Sequence, residues 1–164
     1  MSGGGWLLAG LVLLGGAAAV ESTGNEAAAS ASGIPAEYQR LYDQHGDRCS
    51  GLDWALLAAV GETESDHGRS DLPGVASGEN SAGAAGPMQF LSSTWAEVRT
   101  NHPEIGSSRY EAANAIPAAA AYLCAQGAAN GDTEGALFAY NHSNSYVTTV
   151  QSQARAYRAD QEEK

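Results

Sequence analysis

From Ile34 to Tyr157 apolar side chains return at the period of an α-helix, in stretches that open at Pro, Asp, Thr or Asn and often stop at Gly. Each such stretch has one apolar face that neighbouring helices must cover. In the first, Ile34, Tyr38, Leu41, Tyr42 and His45 share a face, with Pro35 opening the helix and Gly46 closing it. Asp53 is placed to cap a second helix through Leu56, Leu57 and Val60, ending before Gly68. A Gly/Ala/Ser loop, residues 74–86, then leads into Met88-Gln89-Phe90. Thr94 and Glu97 have the spacing of a capping box for a third helix carrying Trp95 and Val98. Asn114 is expected to cap a fourth, with Pro117 in its first turn, Tyr122, Leu123 and Cys124 in its body and Gly127 at its stop. Asp132 caps a fifth through Leu137, Phe138 and Tyr140. The last carries Tyr146, Val147, Val150, Ala154 and Tyr157 and is expected to fray into the charged tail 160–164. No internal repeat and no strong strand pattern competes, so the expected fold is all-α.

Composition agrees. The chain has 164 residues, enough for one domain with a real core. Its 32 Ala and 20 Gly supply about a third of the residues, while there are only two Phe, a balance that favours closely packed helices over sheets. Eight Lys+Arg against 19 Asp+Glu give a net charge of −11, which excludes nucleic acid or an anionic membrane surface as the natural partner.

Trp6 to Val20 form an apolar run that is too short for the ~20 residues of a bilayer span but suits the core of a signal peptide. Ala17 and Ala19, or Ala27 to Ala29, offer small residues for cleavage; the usual positive amino-terminal charge is missing, since the first cationic side chain is Arg40. A buried helix is the competing reading, but a polar Ala/Ser/Gly-rich linker separates the run from everything that follows. The expected organisation is therefore a signal peptide or membrane anchor at 1–20, a linker at 21–33 and one domain at 34–160, exported from the cell. Two cysteines, Cys49 and Cys124, are too few for a zinc site and form no CxxC pair. They are either two buried thiols or a disulfide, and the leader favours the bridge.

Within the second helix, Glu64 lies about 20° around the axis from Leu57 and about 40° from Val60, so it continues the apolar stripe. Glu62, about 140° away from Leu57, is expected to be solvated. A carboxyl on a buried face tends to keep its proton, which is how a Glu becomes a general acid near neutral pH. A helix-end Glu satisfied by nearby backbone is the plain alternative.

Three motifs then coincide. Glu64-Ser65, followed by His67-Gly68, resembles the catalytic E-S motif of the lytic transglycosylases, a family with the lysozyme-like fold. Residues 83–90, GAAGPMQF, resemble its G-A-x-G-L-M-Q motif with Pro87 replacing Leu, and Ala139-Tyr140-Asn141 resembles its A-Y-N motif. The order matches over roughly Ile34 to Tyr157. The similarity extends to a short secreted actinobacterial type, similar to membrane-bound lytic transglycosylase B, with a Cys before the catalytic helix and another in a Y-L-C segment such as Tyr122-Leu123-Cys124.

The resemblance implies that the substrate is the peptidoglycan glycan strand and that Glu64 is the sole catalytic acid and base. It protonates the glycosidic oxygen and then takes the proton of the muramyl 6-hydroxyl as that group closes onto C1. The N-acetyl group of the sugar assists, so no second carboxylate is needed. Ser65, Gly86, Met88, Gln89, Tyr140 and Asn141 are the implied substrate-binding residues. Among them Gln89 would bind an N-acetyl group, Tyr140 would hydrogen-bond near Glu64, and Met88 would fill the core while lining the cleft. Gly86 and Pro87 would shape the loop, and Asn141 would chiefly lock the turn after its helix. No cofactor and no metal is implied, because residues 99–111 lack the alternating oxygen ligands of a calcium loop. Asn80 and Ser81 stand where relatives often carry a substrate-contacting Ser. A monomer is expected.

Two other readings remain at this point. A lysozyme-type hydrolase would need a second carboxylate, for which Asp66, Asp71 and Glu79 are candidates. A wall-binding module without turnover would need no acid on the apolar face. His45, His67, His102 and His142 are scattered and form no HxxxH or HExxH pattern, so they are expected to be ordinary surface or cleft residues. Amino-terminal sequencing of secreted protein is expected to begin near Val20 or Ser30; recovery of intact Met1 from the cytosol alone would end the export reading.

Overall fold

Asp53 fixes the start of the helix around which the others assemble. In the computed structural model, which describes residues 33–162, its Oδ1 accepts the Leu56 N–H at 2.8 Å. The same carboxylate receives Arg158 Nε at 2.7 Å and a second guanidinium nitrogen at 2.9 Å. One residue therefore satisfies an orphan helix donor and clamps the amino end of this helix to the last helix. The leader expected at 1–20, and the linker 21–33 apart from Gly33, lie outside the described residues.

The helix capped by Asp53, α2 (Trp54–Ser65), follows α1 (Ala36–His45) and is buried at every position from Ala55 to Gly61. It packs against α1, against α4 (Ala112–Ala125) and against α6 (Asn144–Glu162). The alanines explain how a helix fits among three others: Ala55, Ala58 and Ala59 of α2, and Ala118 to Ala120 of α4, are all 0% exposed. Small side chains there let the helix axes approach closely. Between α2 and α4 lie a long loop, a hairpin of two-residue strands β1 (Ala84–Ala85) and β2 (Phe90–Leu91), and α3 (Ser92–Asn101). The hairpin is antiparallel, with Ala84 opposite Leu91 and Ala85 opposite Phe90. A 3-10 turn (Ala128–Asn130) and α5 (Thr133–Asn141) precede α6, and Asp132 caps α5 by accepting the Gly135 N–H at 2.9 Å. The architecture is the all-α one expected.

Three boundaries differ from the sequence reading. Thr94 and Glu97 form no capping box, because α3 begins at Ser92, directly out of β2, with no side-chain cap. Asn114 is the third residue of α4 rather than its cap; its amide instead donates to Ser108 O at 3.1 Å and Glu111 Oε2 at 3.1 Å, bracing the segment before the helix. Pro117 consequently sits inside α4. The tail does not fray at Asp160, since α6 runs to Glu162.

Cys49 and Cys124 form a disulfide across 75 residues, tying the α1–α2 connection to the end of α4. Among the described residues no helix is long and apolar enough to cross a membrane. A bridge closing so long a loop contributes about 4 kcal/mol in the chain-entropy description. The double variant Cys49→Ala/Cys124→Ala is therefore expected to lose several kcal/mol in urea unfolding while folding to the same helical content; an unchanged midpoint would show the bridge to be energetically idle.

Candidate active site

Glu64 stands in the last turn of α2, where the helix leaves the fully buried segment. Its Oε1 is sealed from solvent and has no hydrogen-bond partner. Burial raises the carboxyl from its ordinary 4.5 to about 7, and the nearby Tyr146 hydroxyl opposes this more weakly. No hydrogen bond of good geometry joins the two, because the Tyr146 hydroxyl is itself without a partner. No other carboxylate contributes to the shift. Tyr146 comes from α6 and stacks on Tyr140 of α5, with ring centroids 6.4 Å apart and planes within 3°.

The chain immediately after Glu64 is unusual. Asp66 (φ 51°) and His67 (φ 53°) both adopt left-handed conformations, and Asp66 N–H closes the helix on Glu62 O at 2.8 Å. Residues bearing a Cβ avoid this region unless their surroundings fix it. Ser65 supplies part of that fixing: its buried hydroxyl accepts the Gly68 N–H at 2.7 Å and donates to Pro87 O at 2.6 Å. The E-S motif is thereby joined to the glycine-rich loop.

That loop is held by its own polar groups. Asn80 Oδ1 accepts the backbone N–H of Ala82 (2.8 Å) and Ala84 (3.0 Å), while its Nδ2 donates to Gln89 Oε1 at 3.0 Å. Gln89, also left-handed (φ 47°), donates Nε2 to Gly86 O at 2.8 Å. Gly86 (φ 80°) lies against the Arg109 carbonyl, where any Cβ would collide. Arg109 in turn donates to Phe90 O at 2.8 Å and pairs with Glu79.

Beside the loop a cleft of about 280 Å³ is lined by Gln89, Phe90, Thr94, Tyr122, Tyr140 and His142 among others. Tyr140 joins this cleft to the acid: it borders the cleft, and its own titration is raised by burial and then by the Glu64 charge. Its hydroxyl, however, donates to Met88 O at 2.8 Å, so it is bound to the loop rather than to Glu64. Met88 is 0% exposed and does not line the cleft, contrary to the dual role expected for it. Asn141 does not lock its turn, because neither amide atom finds a hydrogen bond although the residue is 3% exposed.

Two further expectations are corrected. Glu62 is not simply solvated but half-buried, accepting the Tyr157 hydroxyl at 2.5 Å. His67 is neither a surface nor a cleft residue: it is 2% exposed and lies between the hydroxyls of Tyr42 and Tyr157, both at 3.0 Å. Burial and then the Arg69 charge lower it to about 4, so it is neutral at physiological pH. Sequence spacing marks Tyr146 only as a core residue of its helix, and its place beside Glu64 depends on how α6 crosses α2. Among the described residues no cluster of His, Cys, Asp or Glu is arranged to hold a metal ion.

A small all-α domain whose central helix ends in a buried acid is consistent with a lysozyme-like fold. The family model of the transglycosylase SLT domain matches residues 41–162, and the chain belongs to that family. It is a peptidoglycan lytic transglycosylase, an enzyme that cleaves glycosidic bonds. Comparison with curated proteins and with solved structures finds no match.

The raised titration of Glu64 makes a stability prediction. Because its folded value lies near 7 and its unfolded value near 4.5, the native state binds the proton more tightly, and stability falls as pH rises through that window. Above it, the buried ionised carboxylate costs on the order of 3 kcal/mol. Glu64→Gln is therefore expected to melt higher than the wild type at pH 8, with the gap closing below about pH 4.5. A variant no more stable at pH 8 would mean the carboxyl is not desolvated.

Proposed function

We propose that Glu64 acts alone as general acid and then general base, releasing 1,6-anhydromuramyl ends without water. The observation that carries this reading is a carboxyl raised to about 7 by burial, with no second carboxylate among the groups that shift it. At neutral pH a large fraction of Glu64 is protonated and able to donate to the glycosidic oxygen. Once ionised, it can accept the proton of the muramyl 6-hydroxyl as that oxygen attacks C1. The carboxylates that could serve a hydrolase are otherwise committed or exposed: Asp66 pairs with Arg69 at 2.6 Å, Glu79 with Arg109, and Asp71 lies on the surface. This favours substrate-assisted chemistry over a two-carboxylate hydrolase.

In this reading the glycan lies along the cleft bordered by Gln89 and Tyr140, with Gly86 letting the loop pack against the Arg109 carbonyl behind it. The Tyr146 hydroxyl and the Asn141 amide are buried and lie outside the lining of this cleft, so they act from behind the sugar-facing surface. Ser65, Met88 and the amide of Gln89 act by shaping this surface, since their polar groups or bulk are engaged within the protein. The enzyme works outside the cytoplasm, as a monomer, behind the 1–20 leader, which either is cleaved or remains as an anchor.

Mass spectrometry of fragments released from purified peptidoglycan by the full-length protein is the direct test. Products one water lighter than hydrolytic muropeptides are expected; reducing ends would instead identify a hydrolase. Activity should fall as pH rises through about 7, as the acid loses its proton. Glu64→Gln should abolish it, and a rate still climbing at pH 8 would remove Glu64 from the role of acid.

A further inference from the structure

A second buried assembly adjoins Glu64 and takes no part in the chemistry above. The Tyr157 hydroxyl donates to Glu62 Oε2, so its oxygen is left to accept the N–H of His67 Nε2. A neutral imidazole with its proton on Nε2 must accept at Nδ1, and Tyr42 donates there. The hydrogen-bond direction along Tyr42, His67, Tyr157 and Glu62 is thus fixed throughout. These four side chains come from α1, the turn after α2, α6 and α2 itself.

The backbone makes room for the assembly. Gly61, in the middle of α2, faces the Tyr42 hydroxyl, and a Cβ there would collide with it. Gly68 (φ 77°) faces the Tyr38 hydroxyl in the same way. Glycine inside a helix is otherwise unfavourable. The assembly includes His67, the second of the two left-handed residues that follow Glu64-Ser65. Glu64 Oε1, by contrast, has no hydrogen bond of its own to hold it, so its direction depends on the helix end that carries it.

We propose that the Tyr42–His67–Tyr157–Glu62 chain positions the acid, with His67 and Tyr157 locking the left-handed turn that sets the direction and depth of the Glu64 carboxyl. The inference rests on Glu64 being the acid. The groups facing His67 are Tyr38 and Tyr42 from α1, Tyr157 from α6, and Asp66 and Arg69 in its own turn. Those facing Glu64 are Tyr140 from α5 and Tyr146 from α6. None is removed by Tyr157→Phe except the one hydroxyl, and the remaining ring keeps its packing on Trp54 at 6.0 Å. Loosening the turn would admit water to the carboxyl and lower its titration towards the ordinary value.

The test is the pH dependence of kcat and kcat/KM on soluble peptidoglycan fragments, using the full-length chain. Tyr157→Phe is expected to lower kcat about tenfold with KM within about twofold, as misplacement of a reacting group does. It should also move the alkaline limb of the profile about one unit to lower pH. Glu62→Ala should do the same, and Glu62→Gln, which keeps an oxygen for Tyr157, should fall between it and the wild type. A Tyr157→Phe enzyme that melts earlier but keeps the wild-type limb would overturn the proposal, leaving the chain a purely structural element. If Tyr157→Phe fails to fold, the two Glu62 variants decide by the same limb. A wild type with no alkaline limb, or an active Glu64→Gln, would instead remove the acid assignment and the proposal with it.

Discussion

A helix buried on every side can carry an ionisable residue only near an end, and α2 carries one where its burial is just giving out. Ala55 to Gly61 are all buried, and three residues later Glu64 still has one oxygen sealed while the residue as a whole is partly open. That gradient sets the carboxyl near 7: a deeper position would hold the proton too firmly to release, and a solvated one would not hold it at neutral pH. Three contacts keep α2 at that depth. Asp53 and Arg158 clamp its start, alanines let α4 lie close, and the disulfide ties its preceding connection to α4.

The glycine-rich loop solves a different problem. A segment with so little secondary structure is fixed instead by side chains that satisfy its own groups. Asn80 and Gln89 hold each other and three backbone atoms between them. Arg109 reaches across from the segment before α4 to secure Phe90, and its carbonyl fills the space that only a glycine at position 86 leaves open. Polar residues in such loops therefore need not face the substrate to be required.

The helices were legible because apolar spacing and caps are local: Asp53 and Asp132 each cap the helix expected of them. Boundaries set by the hairpin were not, because strands of two residues leave no alternation to read, and β2 hands the chain straight into α3. Glu64 could be singled out by its place on an apolar stripe. Tyr146 and His67 could not, because their roles arise where α6 crosses α2 and where the chain turns left-handed twice in succession. Glu62 misled for the same reason: helical angle puts it opposite Leu57, but Tyr157 arrives from a helix almost a hundred residues later, at a separation of 95.

The polar groups around the acid divide into two kinds. Ser65, Asn80, Gln89, His67 and Tyr157 are buried or half-buried and have partners. Glu64 Oε1, the Tyr146 hydroxyl and both amide atoms of Asn141 are buried and, among the described residues, have none. Unpaired buried polar atoms are costly and rare in native proteins. Here they lie on the proposed acid, on its neighbouring hydroxyl and on the last residue of the A-Y-N motif. The buried Tyr146 and Tyr140 rings enclose the Glu64 carboxyl in surroundings that solvate its charge poorly, which is what raises its titration, and the weaker pull of the Tyr146 hydroxyl does not cancel that cost.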